Sequence, residues 1–177
     1  MYDFLGINLK KINNDVLKAF HKGERNKTQI IFAEHKKNSE DKTGDVLICF
    51  DGHCLFRFFE KFFPFNIDYM VEYGSRNNFS LNIGDGIYNT LENANDEIEV
   101  KKIAQIAIDK TDIVIFSDET RNLKIGVNKK YLDYVNFENC RFFASAINAP
   151  LVIQGNNEHE KIGLILPIKP VSGNWDI

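Results

Sequence analysis

With 177 residues, 44% of them hydrophobic and 27% charged, and only 11 Gly and 4 Pro, the chain can bury a core without disulfide or metal staples. Its 12% aromatic content, led by 15 Phe, excludes a disordered or collagen-like chain. A net charge of −3 excludes nucleic-acid binding by bulk positive charge and leaves open a local basic face.

The opening MYDFLGINLKKINND mixes charges into what a signal peptide would need as an apolar run. No window approaches the roughly 18 consecutive apolar residues of a membrane span. Cys49, Cys54 and Cys140 are odd in number and lack CxxC spacing, which argues against a disulfide framework and a structural zinc site. A cytoplasmic, non-membrane protein in a reducing compartment is the expectation.

The first predicted helix starts after Asn13 and Asn14, good capping residues, and stops at Gly23. Val16, Leu17 and Phe20 share one face, with Lys18, His21 and Lys22 largely on the other. Residues 28–33 (TQIIFA) and 46–50 (VLICF) read as strands joined by a polar hairpin-like connection. Asp51-Gly52-His53 breaks the run, and 54–59 resumes it as a third strand or the start of a helix. Phe58, Phe59, Phe62 and Phe63 form a helical stripe before Pro64, suited to core packing or to an exposed patch that docks a partner.

YMVEYGSRNNFSLNIGDG reads as two strands around a turn, whereas EIEVKKIAQIAID fits strand and helix periods equally. Residues 113–116 and 123–127 read as a hairpin, and Asn128 caps a helix over 129–136 with Tyr131, Leu132 and Val135 inward. Three apolar strands follow in CRFFASA, PLVIQG and IGLILPIK. Strand, basic-backed helix and a train of antiparallel strands thus occur in residues 7–59 and again in 122–169. Two such units side by side would form one sheet covered by two helices. Their outward lysines would share a side suited to a phosphate backbone, without base readout.

Catalytic and cofactor signatures are weak. His21, His35, His53 and His159 show no HxxxH or HxH spacing, and GxSxG, HExxH and the phosphate-cradling glycine loop are missing. Gly84-Asp85-Gly86 lacks the third glycine of a nucleotide loop. Asp85 with Glu99-Val100-Lys101 could imitate the acidic metal ligands and Lys of a metal-dependent nuclease, but acidic-x-Lys triplets are frequent in any charged chain. No catalytic residue, metal or cofactor is assigned.

The segment Val46 to Leu55 (VLICFDGHCL) resembles the strand and Thr-Asp-Gly-His-Arg-Leu signature of the bacterial DNA polymerase sliding clamp, the beta subunit. Leu123 to Leu132 is similar to that family's strand leading into the second helix of its last domain. Pro150 to Ile153, followed by Gly163 to Lys169, is similar to its closing strands. The signature Thr is Phe50 here and the Arg is Cys54; family clamps carry three domains per chain and close as a dimer around duplex DNA.

The resemblance implies an α+β, DNA-clamp-like fold of two pseudo-repeated halves, as one domain over residues 1–177 with an insertion at about 60–120. It implies a partner pocket at Gly52, Leu55, Leu164 and Leu166. The helix lysines place Lys18, Lys22, Arg25, Lys129 and Lys130, with Lys10 and Lys11 nearby, toward duplex DNA in weak, sequence-independent contact. The expected function is that of a non-enzymatic replication accessory or DNA-encircling processivity factor, binding replication proteins. One domain cannot encircle DNA, so encirclement would need a homo-oligomeric ring. The alternative is a clamp-fold binding module, from a phage or mobile element, that contacts protein partners without encircling DNA. Ile48, Phe50, Leu55, Ile125, Val127, Leu132, Val152, Ile153, Leu164 and Leu166 are the expected core.

Overall fold

Apolar, β-branched runs broken by Asp-Gly, Asn-Ala-Pro and Asn-rich connections give the chain its dominant element, a ten-stranded sheet. The structure, a computed structural model, describes residues 6–22, 29–34, 45–59, 66–73, 79–83, 86–120, 122–155, 160–170 and 175. Along the chain come α1 (Leu9–Lys22), β1 (Ile30–Glu34), β2 (Asp45–Phe50), β3 (Cys54–Phe59), α2 (Ile67–Tyr73) and β4 (Phe79–Ile83). They are followed by α3 (Gly86–Glu92), β5 (Ile98–Ile108), β6 (Thr111–Ser117), β7 (Lys124–Asn128), α4 (Lys129–Leu132), β8 (Cys140–Ala144), β9 (Leu151–Gly155) and β10 (Lys161–Ile165). The fold is mixed helix and sheet, compatible with the α+β class.

In space the strands lie in the order β4-β1-β2-β3-β10-β9-β8-β5-β6-β7. Every neighbouring pair is antiparallel except β1 with β4, which is parallel. The strands β1, β2, β3 and β10, β9, β8 therefore stand in mirrored order about the β3–β10 contact, where Leu55 faces Leu164. Residues 60–120, expected as an insertion, supply β4 at one edge and β5 and β6 near the other.

The two-residue period of the strands divides the core. Ile48, Phe50 and Phe56 face one side, where they pack with Leu9, Ile12, Val16 and Ala19 of α1, Met70 of α2, and Tyr131 and Leu132 of α4. Leu47, Leu55, Val152 and Leu164 face the other side and pack with Tyr88 and Leu91 of α3. A third cluster joins Ile113 and Ile115 to Trp175.

Several expectations are corrected. Helix α1 begins at Leu9, six residues before the predicted start at Asp15: Asn8, whose side chain accepts from Lys11 N at 3.1 Å, is the cap. The 3-4-3 spacing of Leu9, Ile12, Val16 and Ala19 carries the buried face through Asn13 and Asn14, so packing outweighs the small helix propensity of asparagine. The second predicted helix is shorter, with α4 ending at Leu132 and the chain turning so that Val135 bridges Ile7. The first of the two strands expected around residue 70 is α2, whose Met70 is buried against the main core.

The undecided segment is β5, an 11-residue strand. Phe58 and Phe59 lie in β3, paired with β2, so no helical stripe starts there; Phe62 and Phe63 fall outside the described residues. Nine of the ten expected core residues are buried, but Leu166 is 44% exposed, because β10 pairing ends at Ile165 and Pro167 follows.

Candidate partner pocket and helix face

Three residues, Asp51-Gly52-His53, connect the paired Phe50 and Cys54; Asp51 and Gly52 both take positive φ, 56° and 67°, and His53 N donates to Phe50 O at 3.0 Å. Both values belong to the type I′ turn, whose twist matches that of the flanking strands and for which Asp-Gly is a favoured pair. A Cβ at Gly52 would meet nothing within 4 Å, so the backbone angle alone calls for glycine. Asp51 also ties the turn to β1: its side chain accepts from Gln29 N at 2.9 Å and its own N donates to Gln29 O at 2.8 Å. On the other side Leu166 N donates to His53 O at 2.8 Å, fixing the end of β10 against the turn.

This arrangement brings Gly52, Leu55, Leu164 and Leu166 together in one cavity of about 180 Å³. Leu55 and Leu164 are buried and directly paired, Leu166 stands half-exposed, and Ile87 and Thr90 of α3 complete the lining with Cys49, His53 and Cys54. The polar groups in it are mostly occupied. The Thr90 hydroxyl donates to Gly86 O at 2.9 Å, and His53 Nδ1 lies 2.6 Å from Asp51 O. Burial pushes the Cys49 thiol above its ordinary pKa, and burial with the nearby Cys49 does the same to Cys54, so both stay protonated at neutral pH. The cavity is suited to receiving apolar side chains rather than to covalent chemistry.

On the opposite side of the sheet α1 and the turn after α4 touch. Asn8 N donates to Tyr134 O at 2.7 Å, Asn136 N to Gly6 O at 2.7 Å, and Tyr134 stacks on Phe50 at 4.6 Å. The lysines expected to face DNA are therefore on neighbouring elements, but Lys11, Lys18, Lys129 and Lys130 are each paired with an acid. Lys11 and Lys18 lie 2.9 and 3.3 Å from Asp15, Lys129 lies 2.9 Å from Asp133, and Lys130 lies 3.6 Å from Asp51. Burial by itself would lower the Lys130 pKa; the Tyr131 hydroxyl and Asp51 carboxylate outweigh it and raise the value. Lys10 is exposed. Arg25 and the side chain of Lys22 fall outside the described residues. A cleft of about 850 Å³ runs beside this face, lined by Asn8, Lys11, Lys102, Gln105, Lys129 and Phe137 among others.

The nuclease-like residues are otherwise engaged. Glu99 accepts from Arg141 through both oxygens, at 3.1 and 2.7 Å, and that pairing holds its carboxyl below the ordinary value. Lys101 lies 3.6 Å from Glu119, and Asp85 falls outside the described residues. Asp118 closes the β6–β7 connection by accepting from Leu123 N at 2.7 Å and from Thr120 N at 3.1 Å. Among the described residues no group of three or more His, Cys, Asp or Glu could hold a metal ion, and no helix is long and apolar enough to cross a membrane.

Sequence reasoning missed Ile87 and Thr90, which sit in the stretch that it left without a helix. Tyr88 and Leu91, three apart and both buried, are the signal that marks α3. No protein-family model, no curated protein and no solved structure matches this chain.

Proposed function

We propose that the protein is a non-enzymatic, clamp-like binding module that docks a short apolar segment of a partner protein in the cavity beside the β2–β3 turn. The observation that carries this reading is the convergence of Gly52, Leu55, Leu164 and Leu166, from distant parts of the chain, on one apolar cavity in which Leu55 and Leu164 are buried and Leu166 is half-exposed. A few aliphatic or aromatic side chains in such a site bring most of the affinity through burial, and the half-exposed Leu166 is the surface they would cover. The mirrored strand order about β3–β10, with a helix preceding each set of three strands, supports the clamp-like part of the reading. Replication proteins are the class of partner that the sliding-clamp resemblance suggests.

Calorimetric titration of short Leu- and Phe-containing peptides tests it. Binding should carry a negative heat-capacity change and disappear in Leu166→Glu, which places a charge at the rim. Peptides that bind Leu166→Glu as well as wild type, or no binding by any of them, would sink the reading.

A second reading, contact with duplex DNA as part of an encircling oligomer, is favoured by the adjacency of α1 and α4 with their lysines. The acids paired with these lysines would keep the contact weak, as a sliding protein requires. Anisotropy of a labelled duplex at low salt should then show binding whose log affinity falls with log salt at about −0.9 per phosphate contacted. The combined change of Lys18, Lys22, Lys129 and Lys130 to Glu should abolish it; sequence-specific binding indifferent to these charges rules this reading out.

A further inference from the structure

We propose that the open edge of β5 pairs antiparallel with the same edge of a second copy, making a two-fold dimer centred on Gln105. Only Ile98, Glu99 and Val100 of β5 pair with β8, whereas residues 101–108 pair with β6 on one side and, among the described residues, with no strand on the other. At about 3.4 Å per residue this leaves an edge of roughly 27 Å whose outward N–H and C=O groups lack strand partners. The other two edges are smaller: β4 has five residues, and β7 is bridged on its outer side where Gly126 meets Ile168.

Lysines protect only the start of this edge, at 101 and 102; from Ile103 to Ile108 it carries no charged side chain, where an edge is usually protected by charge. Ile103 is 50% exposed and Ile108 38% exposed, and Gln105 and Ala107 are also exposed. Ile103 is the residue skipped by the register shift between Lys102 and Ala104, so it is out of step with β6 and unused by the sheet.

The sequence along the edge says what covers it. With Gln105 opposite itself, Ala104 lies opposite Ile106 and Ile103 opposite Ala107, while Lys101 and Lys102 of one copy run beside Ile108 and Asp109 of the other. Apolar meets apolar at 103 with 107 and at 104 with 106, and at each end Lys101 stands opposite Asp109, twice by symmetry. Centring one residue later sets Lys102 against Lys110, and centring one residue earlier drives Ile108 onto Val100, whose edge β8 already occupies. The pairing is isologous, so it closes at two subunits and leaves the β2–β3 cavity free in both. It is independent of the partner-docking reading.

Sedimentation equilibrium of the full chain should give twice the chain mass, and Ile103→Lys should halve it while leaving the thermal melt by circular dichroism unchanged. Gln105→Cys treated with diamide should form a disulfide-linked dimer faster than wild type or Asn89→Cys, an exposed site on α3. Should Ile103→Lys unfold, the Gln105→Cys cross-link decides alone. A wild-type monomer, a ring of three or more subunits, a dimer that survives Ile103→Lys in folded form, or cross-linking no faster than Asn89→Cys overturns the proposal.

Discussion

The phenol of Tyr134, in the turn after α4, donates a 3.0 Å hydrogen bond to Asp15 Oδ2 on α1, joining two helical elements 119 residues apart in sequence. Lys11 completes the clasp, 2.9 Å from the same oxygen and 5.2 Å from the centre of the Tyr134 ring. Burial and the Asp15 charge push the phenol far above its ordinary pKa, so it remains a donor at neutral pH. Tyr134→Phe should cost about 1.5 kcal/mol in urea unfolding, the low end for a bond to a charged acceptor because Lys11 and Lys18 still serve Asp15. An unchanged midpoint would mean that water replaces the phenol at no cost.

The same clasp sets an acid dependence. Burial alone would raise the Asp15 carboxyl, but Lys11, Tyr134 and Lys18 outweigh it and hold the pKa below the ordinary 3.8. A depressed carboxyl contributes stability above its unfolded-state pKa and loses it as pH falls through the lower folded value. Wild type should therefore weaken as pH drops below about 3.8, and Asp15→Asn, less stable at neutral pH, should show a shallower decline. Parallel pH profiles for the two proteins would remove Asp15 from the account.

Trp175, the single tryptophan, is 4% exposed and lies flat enough on Gly126 that a Cβ there would fall 2.6 Å from its Cε2. Gly126→Ala should displace the indole toward water, shifting the fluorescence emission to the red and weakening the cluster with Ile113 and Ile115. Emission that stays at the wild-type wavelength would show that the indole re-seats without exposure.

The β5–β6 turn carries Asp109 and Lys110 at φ 47° and 68°. The second of these positions favours glycine in a type I′ turn, and a left-handed lysine stores strain. Lys110→Gly should raise stability by about 0.5–1 kcal/mol, seen as a higher urea midpoint at constant m value. A lowered midpoint would mean that the lysine is not strained in solution.

Leu164 and Leu166 are two residues apart and should respond differently. Leu164, buried against Leu55 and Leu91, should lose about 2–5 kcal/mol on change to Ala, whereas the half-exposed Leu166 should stay within about 0.5 kcal/mol. Equal losses at the two positions would place Leu166 back in the core.

The amino-acid sequence by itself determined the local elements whose signals are strong. Asn128 names a helix start and the β-branched runs in 113–116, 151–153 and 162–165 name buried strands without knowledge of their neighbours, whereas Asp51-Gly52-His53 names a break that leaves 54–59 open to strand or helix until β2 and β10 pair with it. Only the tertiary structure decided which strands meet: nothing local says that β4 joins β1 in parallel or that β3 meets β10, since such contacts close long loops and depend on burial summed over both partners. It also decided β5, whose isoleucines fit two periods until β6 supplies a ladder, and Leu166, whose apolar side chain reads as core until the chain leaves the sheet at Pro167. The pocket shares this division. Gly52, Leu55, Leu164 and Leu166 could be named from the sequence, but the wall made by Ile87 and Thr90 exists because α3 packs its Tyr88–Leu91 face on strands from both sides of it in sequence, with Leu55 before it and Leu164 far after it.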